Sequence, residues 1–239
     1  MRLLVTRPQD DAEDVARDLE QRGHTSVVAP MIEIAPVPGA AVDLAGVQAI
    51  LVTSRNGVRA LAATTAQRDV PVLAVGAATA AEATAAGFTA EAAGGDVASL
   101  DSLVRSMLRP DRGKLLWITG RHVRGDLRAD LRAAGFAVER CVLYDAHAAT
   151  ALPEACVAAL RRGEIDGILF FSPRTAQTFV RILAMAGLER AAHSVTAFCL
   201  SPAVAAAVAD IVWRDVAVAR RTDREALLNI VDEVAAARA

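Results

Sequence analysis

The stretch that decides the fold is Arg140-Cys141-Val142-Leu143-Tyr144-Asp145-Ala146-His147-Ala148-Ala149. We interpret it as an extended strand that lies just past the middle of the 239-residue chain, and it holds the only tyrosine. The segments before and after it resemble each other. We therefore predict that this strand crosses between two similar lobes and that Tyr144 faces the cleft between them.

The chain resembles itself in the order A, B, A′, B′. Segment A recurs at a constant offset through three residue pairs, Leu3 and Leu115, Leu19 and Leu131, and Gly23 and Gly135. Segment B recurs as residues 50–54 in 168–172 and as residues 75–79 in 200–204. Such a repeat predicts two lobes of like fold. It leaves open whether each lobe is contiguous or the two are interleaved. A symmetric two-lobed protein most often binds its ligand between the lobes.

Short apolar runs alternate with segments of helical spacing along the whole chain. The runs predict strands at residues 3–6, 26–34, 48–53, 70–75, 114–119, 138–146, 167–172, 195–200 and 216–219. The segments between them predict helices, among them one over residues 10–22 that starts with a capping box of Asp10 and Glu13. This alternation predicts an α/β fold in which each lobe is a parallel sheet flanked by helices.

Composition and charge exclude several classes of function. With a net charge of −2 and 4% aromatic residues, the chain has no basic–aromatic face for nucleic acid. The alanine-rich segments are interrupted before the roughly 20 apolar residues that span a bilayer. Cys141, Cys156 and Cys199 form no CxxC motif, which indicates reduced thiols. We expect a soluble, cytoplasmic protein with no nucleic-acid or membrane partner.

Three kinds of loop recur after the predicted strands and carry the candidate ligand-binding residues. Open α/β sheets bind ligands at the carboxyl ends of their strands, and helix N-termini there suit carboxylate or phosphate groups. Because Lys114 is the only lysine, an anion site would be built from arginine side chains and backbone N–H groups. The candidates are Arg7, Ser54, Asn56, Gly76, Thr79, Gly120, Arg121, Ser172, Pro173 and Ser201.

The two serines that follow strands have two interpretations. Taken singly, Ser54 and Ser172 are ordinary helix N-caps. Taken as a set with the neighbouring arginines, the loops form an anion-binding cleft, and the two interpretations stay open side by side.

Familiar catalytic and cofactor motifs are missing from the sequence. It holds no GxGxxG, GxxxxGK[ST], GxSxG or HExxH pattern. His24, His122, His147 and His193 lack the spacing of metal ligands, so each is predicted to lie at the surface. A protein without a cofactor or a metal ion fits this sequence best.

Taken together, these segments resemble uroporphyrinogen-III synthase over nearly the whole chain. The matching motifs are residues 5–8, 51–58, 75–80, the turn at Gly120, residues 142–144, residues 170–173, and Thr222 before the last helix. The resemblance implies interleaved lobes. One lobe would be residues 1–35 with 149–239 and the other residues 38–143, joined by a two-stranded ladder hinge of residues 31–37 and 142–148.

The family resembled is a cofactor-independent hydro-lyase of tetrapyrrole and haem biosynthesis. It cyclises hydroxymethylbilane, a linear tetrapyrrole with eight carboxylates, to uroporphyrinogen III. The D ring is inverted through a spiro-pyrrolenine, and water is lost. The resemblance implies a cytoplasmic monomer that can receive its substrate from the deaminase that makes it.

The resemblance also implies roles for particular residues. By position, Tyr144 matches the family tyrosine proposed to assist loss of the hydroxyl group. Thr79 matches the threonine of the glycine loop, and Ser54 and Ser172 match the paired serines of the cleft.

The repeat counterpart of the glycine loop departs from the family pattern. Ser201 and Val204 stand where a glycine and then a threonine are expected. A valine cannot donate a hydrogen bond. This departure leaves an alternative open: a non-catalytic, synthase-like regulatory protein that binds a tetrapyrrole or another polyanion without converting it.

Overall fold

A computed structural model of the chain describes residues 1–123 and 126–238. It divides into two compact units. Unit 1 consists of Met1–Glu33 and His147–Ala239, and unit 2 consists of Ile34–Ala146. Unit 1 is thus discontinuous in sequence. The predicted linker role of residues 31–37 and 142–148 remains a proposal.

The described residues form eleven strands and nine α-helices. The strands are β1 (Arg2–Val5), β2 (Thr25–Val28), β3 (Ile32–Pro36), β4 (Val47–Val52), β5 (Val72–Ala74), β6 (Ala90–Ala92), β7 (Lys114–Gly120), β8 (Val138–Ala148), β9 (Gly167–Phe170), β10 (Thr196–Cys199) and β11 (Asp215–Val218). The helices are α1 (Gln9–Gln21), α2 (Arg55–Thr64), α3 (Ala77–Ala85), α4 (Val97–Met107), α5 (Leu127–Ala133), α6 (Glu154–Arg161), α7 (Pro173–Met185), α8 (Pro202–Ala206) and α9 (Arg224–Ala236).

Each unit is built on one sheet. In unit 1 the strand order is β11-β10-β9-β1-β2, and all neighbouring strands are parallel. The other sheet has the order β3-β8-β7-β4-β5-β6, in which β8 to β6 are parallel. The α/β fold with helix-flanked sheets is confirmed, but this second sheet is mixed. Strand β3 runs against β8: Val37 N donates to Leu143 O at 2.9 Å, and Ala149 N donates to Met31 O at 3.0 Å.

Alternation along the strands explains why helices cover both faces of each sheet. In β1, Leu3 and Val5 pack with α1 and α9, whereas Leu4 packs on the opposite face with α6 and α7. In β7, Leu115 and Trp117 pack with α4 and α5, whereas Leu116 and Ile118 pack with α2 and α3. Successive side chains of a strand point to opposite faces. These strands are apolar on both faces because both faces are buried.

The N-terminal segment differs from the prediction in two ways. Helix α1 starts at Gln9 behind Pro8, and within the described residues no side chain caps it. The predicted capping box is therefore wrong, because Asp10 lies inside the first turn. The predicted strand over residues 26–34 is in fact two strands in different sheets. Pro30 lies between them and has no N–H group to donate to a ladder.

Two further features were not predicted correctly. Strand β6 was not predicted, because its three exposed or half-buried residues form no apolar run at the sheet edge. His24 was predicted to lie at the surface, but it is buried and its Nε2 lies 2.9 Å from Asp232 Oδ1 of α9. The packing of α9 against the end of α1 explains this burial, and a local pattern could not reveal it.

Gly167 offers a test of packing in unit 1. A Cβ added there would overlap Phe198 Cε2 and lie 3.0 Å from Leu3 Cδ2. We expect Gly167→Ala to lower the free energy of unfolding by about 1–3 kcal/mol, as overpacked cores do. Urea denaturation followed by circular dichroism measures the change.

The matched control is Gly57→Ala in α2. There the added Cβ would meet its nearest neighbour at 3.6 Å, an ordinary contact. Alanine is favoured over glycine in a helix by about 1 kcal/mol, so this variant should be as stable as the parent or more stable. Equal destabilisation by both substitutions would contradict the packing argument.

Candidate active site

The carboxyl edge of the unit 2 sheet gathers most of the predicted site residues. Ser54 follows β4, Gly76 follows β5, and Gly120 ends β7. Tyr144 lies on β8, paired in register with Gly120. Because these strands are parallel, their carboxyl ends share one edge, where open α/β sheets bind ligands.

Tyr144 is held in place by three contacts, two of its side chain and one of its backbone. Its hydroxyl lies 2.9 Å from Ser54 Oγ. Its backbone oxygen accepts a hydrogen bond from Arg121 N at 2.9 Å. The ring also packs directly on Gly120, where an added Cβ would lie 2.7 Å from Cε2 and 2.9 Å from Cζ. Gly120 is therefore required by the approach of this ring, and the half-buried tyrosine has a defined orientation.

Ser54 has two functions in this arrangement. It is the N-cap of α2, and its Oγ accepts a hydrogen bond from Gly57 N at 3.1 Å. A serine hydroxyl has one proton to donate and two lone pairs that accept. With Gly57 N–H on one lone pair, Ser54 can still donate its proton to the Tyr144 oxygen. The N-cap interpretation is thus correct for Ser54, and it is compatible with a role beside Tyr144.

The glycine loop of unit 2 places Gly76 and Thr79 close to the site. Gly76 is the N-cap of α3, and a Cβ there would lie 3.2 Å from Gly95 Cα. Gly76 has no side chain to cap the helix, and it meets the first turn of α3 only through its carbonyl oxygen, which accepts from Thr79 N at 3.1 Å. Thr79 is buried in the first turn of α3.

Two arginines of unit 2, Arg59 in α2 and Arg121 after β7, are already engaged by the protein. Arg59 makes two hydrogen bonds to Glu82, at 2.9 and 3.0 Å, and a long one of 3.5 Å to Asn56. Arg121 Nε donates to Asp145 Oδ2 at 2.9 Å. Backbone N–H groups are thus better placed than these guanidinium groups to receive an additional anion.

Arg140 makes hydrogen bonds that fasten the end of β7. Its guanidinium donates to Thr119 Oγ1 at 3.0 Å, to Gly120 O at 2.9 Å and to Arg121 O at 2.8 Å. The sequence contained Arg140 in the deciding stretch, but no local pattern indicated this role. The contacts support the backbone on which the tyrosine ring rests.

A cavity of about 710 Å³ lies at this edge, within unit 2. Tyr144 and Gly120 line it together with Thr53 and the loop at Gly95 and Asp96. Small-molecule sites have volumes in this range. Asp96 and Ser99 form a capping box at the start of α4, and the hydrogen bonds from Ser99 lower the pKa of the Asp96 carboxyl below its usual value.

Trp117 also lines this cavity and was not identified from the sequence. It lies on β7, three residues before Gly120. Only its place on a strand that ends at the site could have indicated it.

The predicted residues of unit 1 lie at the corresponding edge of its own sheet. Arg7 follows β1, where its guanidinium makes an ion pair with Asp11 at 2.6 Å and lies 4.9 Å from the centre of the Phe171 ring. Ser172 caps α7, accepts from Thr175 N at 3.2 Å and also bonds the Thr175 hydroxyl. Pro173 is the first residue of α7.

In unit 1, the loop that corresponds to the glycine loop of unit 2 starts at Ser201 and serves for packing. Ser201 caps the short helix α8 and accepts from Val204 N at 3.4 Å. Val204 is 1% exposed and belongs to the apolar core that contains Phe170. Its apolar side chain is therefore explained by burial.

Among the described residues, the buried cysteines and the metal-ligating side chains do not form a second reactive site. Burial raises the pKa of Cys156 and of Cys199 to about 12, so both thiols stay protonated at neutral pH. Across residues 1–123 and 126–238, no group of three or more His, Cys, Asp or Glu side chains could hold a metal ion.

In the same part of the chain, no helix has the length and apolar character needed to cross a membrane.

Comparison with known proteins gives one family and several similar structures. Residues 13–229 match the protein-family model described as uroporphyrinogen-III synthase HemD. No curated protein matches the chain. The uroporphyrinogen-III synthetase of Helicobacter pylori 26695 is similar in structure, with a TM-score of 0.65, 16% identity, and coverage of 98% of this chain and 100% of that one. This likeness shows a shared fold.

Two structures from the extremely thermophilic bacterium Thermus thermophilus are also similar. A mutant uroporphyrinogen III synthase has a TM-score of 0.49 and 21% identity, with 98% of both chains covered. The wild-type synthase has a TM-score of 0.42 and 22% identity, with coverage of 100% of this chain and 99% of that one.

The hydrogen bond between Ser54 and Tyr144 can be tested by a double-mutant cycle. We expect Ser54→Ala to cost about 1–2 kcal/mol of unfolding free energy, because a cap and a side-chain bond are lost. Tyr144→Phe should cost about 0.5–1.5 kcal/mol. Because the two changes break one shared bond, the double variant should lose less than the sum, by about 0.5–1.5 kcal/mol. Urea denaturation gives the four values.

A change at the other end of α2 is the matched control. Thr65 Oγ1 accepts from Gln67 N at 3.1 Å, and Thr65→Ala removes that bond. Its cost should add to that of Tyr144→Phe without coupling. Strict additivity between Ser54→Ala and Tyr144→Phe would show that their hydroxyl groups are not bonded.

Gly120→Ala should displace the ring of Tyr144. The added Cβ would lie within 2.9 Å of two ring atoms, so the ring must move away and its bond to Ser54 must lengthen or break. Because Tyr144 is the only tyrosine, a ¹³C-tyrosine label gives one ring signal in an NMR spectrum. We expect that signal to shift in Gly120→Ala and to stay in place in Gly57→Ala. An unchanged signal in Gly120→Ala would contradict the close packing.

Proposed function

The chain belongs to the uroporphyrinogen-III synthase family of hydro-lyases, and from that premise we propose that it converts hydroxymethylbilane to uroporphyrinogen III with Tyr144 as its catalytic acid. The observation that carries this proposal is the hydrogen bond between Tyr144 and Ser54 at the rim of a cavity. A phenol held in one orientation, beside space for a small molecule, suits proton donation to a leaving hydroxyl group.

We propose that the Ser54 hydroxyl accepts from Gly57 N–H and donates its own proton to the Tyr144 oxygen; the 2.9 Å contact between the two hydroxyl groups allows either to be the donor. The phenol proton is then free to pass to the hydroxyl of the substrate as the carbon–oxygen bond breaks and water leaves. The phenolate that forms keeps the hydrogen bond from Ser54. Donors aimed at developing negative charge lower the barrier.

The acid accounts for a modest part of the rate. A phenol is a weak acid. Loss of the hydroxyl group gives a pyrrolic cation that is stabilised by resonance, which lowers the demand for acid assistance. Holding the chain so that the correct carbons meet is the larger contribution, since orientation alone can supply many orders of magnitude.

The substrate carboxylates are proposed to bind mainly to backbone groups. In unit 2 the start of α3 is the best candidate, since Gly76 leaves the first N–H groups without a side-chain cap. The positive end of the helix dipole favours an anion there. The engaged arginines Arg7, Arg59 and Arg121 keep the local charge balanced and offer little unless their carboxylate partners move.

The proposal includes several properties beyond the reaction. The enzyme is proposed to act without a cofactor as a cytoplasmic monomer, and to receive hydroxymethylbilane from the deaminase that makes it. The predicted site set includes Ser172, Pro173 and Ser201 of unit 1, which lie at the strand ends of their own sheet. Their contact with substrate is part of the proposal.

The buried Val204 motivates one alternative function. If a threonine hydroxyl in this loop is required for turnover, then a valine there leaves a protein that binds tetrapyrrole without converting it. The burial of Val204 in the core argues for packing at this position. Tight uroporphyrin binding with no isomer III formed would establish the alternative.

The decisive experiment supplies hydroxymethylbilane made in situ by a deaminase and separates the uroporphyrin isomers after oxidation. The proposed enzyme yields isomer III. Isomer I alone, as in the reaction without the protein, would refute the proposal.

We expect Tyr144→Phe to lower turnover by about 10- to 100-fold without abolishing it, at or below the low end of what general acids contribute. The Michaelis constant should change little, because the ring and its packing on Gly120 remain. Kinetic assay of the purified variant, with circular dichroism as a check of folding, measures both quantities. Complete loss of isomer III from a folded Tyr144→Phe protein would contradict the modest role of the acid.

A further inference from the structure

The pairing of β7 with β8 is irregular at the candidate site. Thr119 pairs with Val142, but the next residue of β7, Gly120, pairs with Tyr144. The register therefore skips Leu143, and two residues of β8 stand against one residue of β7. Such a β-bulge bends its strand and redirects a side chain, and bulges are frequent next to active sites. Its position directly before Tyr144 connects this bulge to the proposed acid.

The bulge decides where the ring of Tyr144 lies. A regular register would set Tyr144 opposite Arg121, one residue further along the chain. The bulge sets it opposite Gly120 instead, which has no side chain to block the ring. Because β7 lies between β8 and β4, the phenol crosses the end of β7 to reach Ser54, which follows β4. The contact between the two hydroxyl groups thus depends on the bulge.

The peptide unit between Gly120 and Arg121 is bonded twice to residues of β8. Its N–H group donates to Tyr144 O at 2.9 Å, and its carbonyl oxygen accepts from Arg140 Nη2 at 2.9 Å. A peptide unit is planar and rigid, so fixing its oxygen also fixes its N–H group. The side chain of Arg140 and the backbone of Tyr144 are therefore linked through this single unit.

Arg140 makes two more bonds to the same short segment. Its Nη2 also donates to Arg121 O at 2.8 Å, and its Nε donates to Thr119 Oγ1 at 3.0 Å. A bulge interrupts the ladder, and buried backbone groups there need other partners. The planar fork of an arginine serves several acceptors at once, and a lysine ammonium does not reproduce that geometry. Arg140 therefore fastens residues 119–121 beside the bulge.

We propose that Arg140 is a positioning residue for Tyr144. By holding the peptide unit between Gly120 and Arg121, it keeps the phenol across Gly120 and in contact with Ser54. Arg140 acts through the tyrosine and does not meet the reacting atoms. Its effect on turnover rests on the proposed function, in which Tyr144 is the acid, whereas the orientation of the ring can be measured without a substrate.

A kinetic double-mutant cycle tests whether Arg140 acts through the tyrosine. Arg140→Gln removes the charged fork from a half-buried position. Alone, it should lower kcat about fivefold and change KM by less than about twofold, because the acid is misplaced while the binding groups remain. In a Tyr144→Phe protein it should lower kcat further by less than about twofold, since the group that it positions is gone. Formation of isomer III from hydroxymethylbilane measures both constants.

Arg132→Gln is the matched control. Arg132 Nη2 donates to Val138 O at 2.9 Å, at the first residue of β8 and away from Tyr144. The variant removes one arginine–carbonyl bond from the same strand but leaves the bulge intact, so kcat and KM should equal those of the parent. If Arg140→Gln does not fold, as judged by circular dichroism, Arg140→Lys takes its place, because lysine keeps the charge and loses the planar fork.

The ring of Tyr144 gives a readout that needs no substrate. Tyr144 is the only tyrosine in the chain, so a ¹³C-tyrosine label gives one ring signal. Arg140→Gln should shift that signal, because the ring loses its fixed support on Gly120, whereas Arg132→Gln should leave it in place. A change in overall stability alone would not move the signal of the folded protein.

Three outcomes would overturn the positioning role. These are a tyrosine signal that Arg140→Gln leaves in place, an equal fold-loss of kcat with and without the Tyr144 hydroxyl, or a raised KM at constant kcat, which would assign Arg140 to substrate binding instead. The proposed function fails separately. A parent protein that forms no isomer III refutes the synthase activity, and the tyrosine signal still decides whether Arg140 orients the ring. Isomer III with an unmoved signal refutes the positioning role only.

Discussion

Parallel strand pairing is the constraint on which the rest of this structure depends. When neighbouring strands run the same way, every connection must return through a helix, and all carboxyl ends fall on one edge of the sheet. In unit 2 this rule places Ser54, Gly120 and Tyr144 within contact distance, although they are far apart in the chain. The sheet brings them together by backbone pairing alone, and the side chains then complete the arrangement.

Much of the fold could be predicted from the sequence because its signals are local. Apolar runs of strand length, Pro173 at the start of a helix and glycines after helices each act within a few residues. The features that were not predicted have causes that a short stretch of sequence does not show. Strand β6 has no apolar run, since it lies at an edge, and His24 is buried by a helix from the other end of the chain. The break at Pro30 could have been predicted, because proline cannot donate to a ladder.

The candidate site was harder to predict than the fold, because it depends on contacts between residues that are far apart in the chain. The serine positions followed from their place after strands, and the lone tyrosine stood out by composition. The bond between Ser54 and Tyr144 could not be predicted, since it depends on the register of β8 against β7. Nor could the pairing of Arg59 with Glu82 or of Arg121 with Asp145. The sequence predicted an anion site of arginine side chains and backbone N–H groups. Because these arginines are paired, we propose that the backbone N–H groups bind the anion.

The double use of Ser54 has a consequence for how this protein can change. The Ser54 oxygen caps the start of α2 and also orients the phenol of Tyr144. The stability of the first turn of α2 and the direction of the Tyr144 proton are therefore thermodynamically linked. Fluctuations that unwind that turn release the ring, and a ligand that immobilises the ring protects the turn from unwinding. Substitutions in α2 that never meet substrate can therefore alter reactivity, and the helix start and the acid must evolve together.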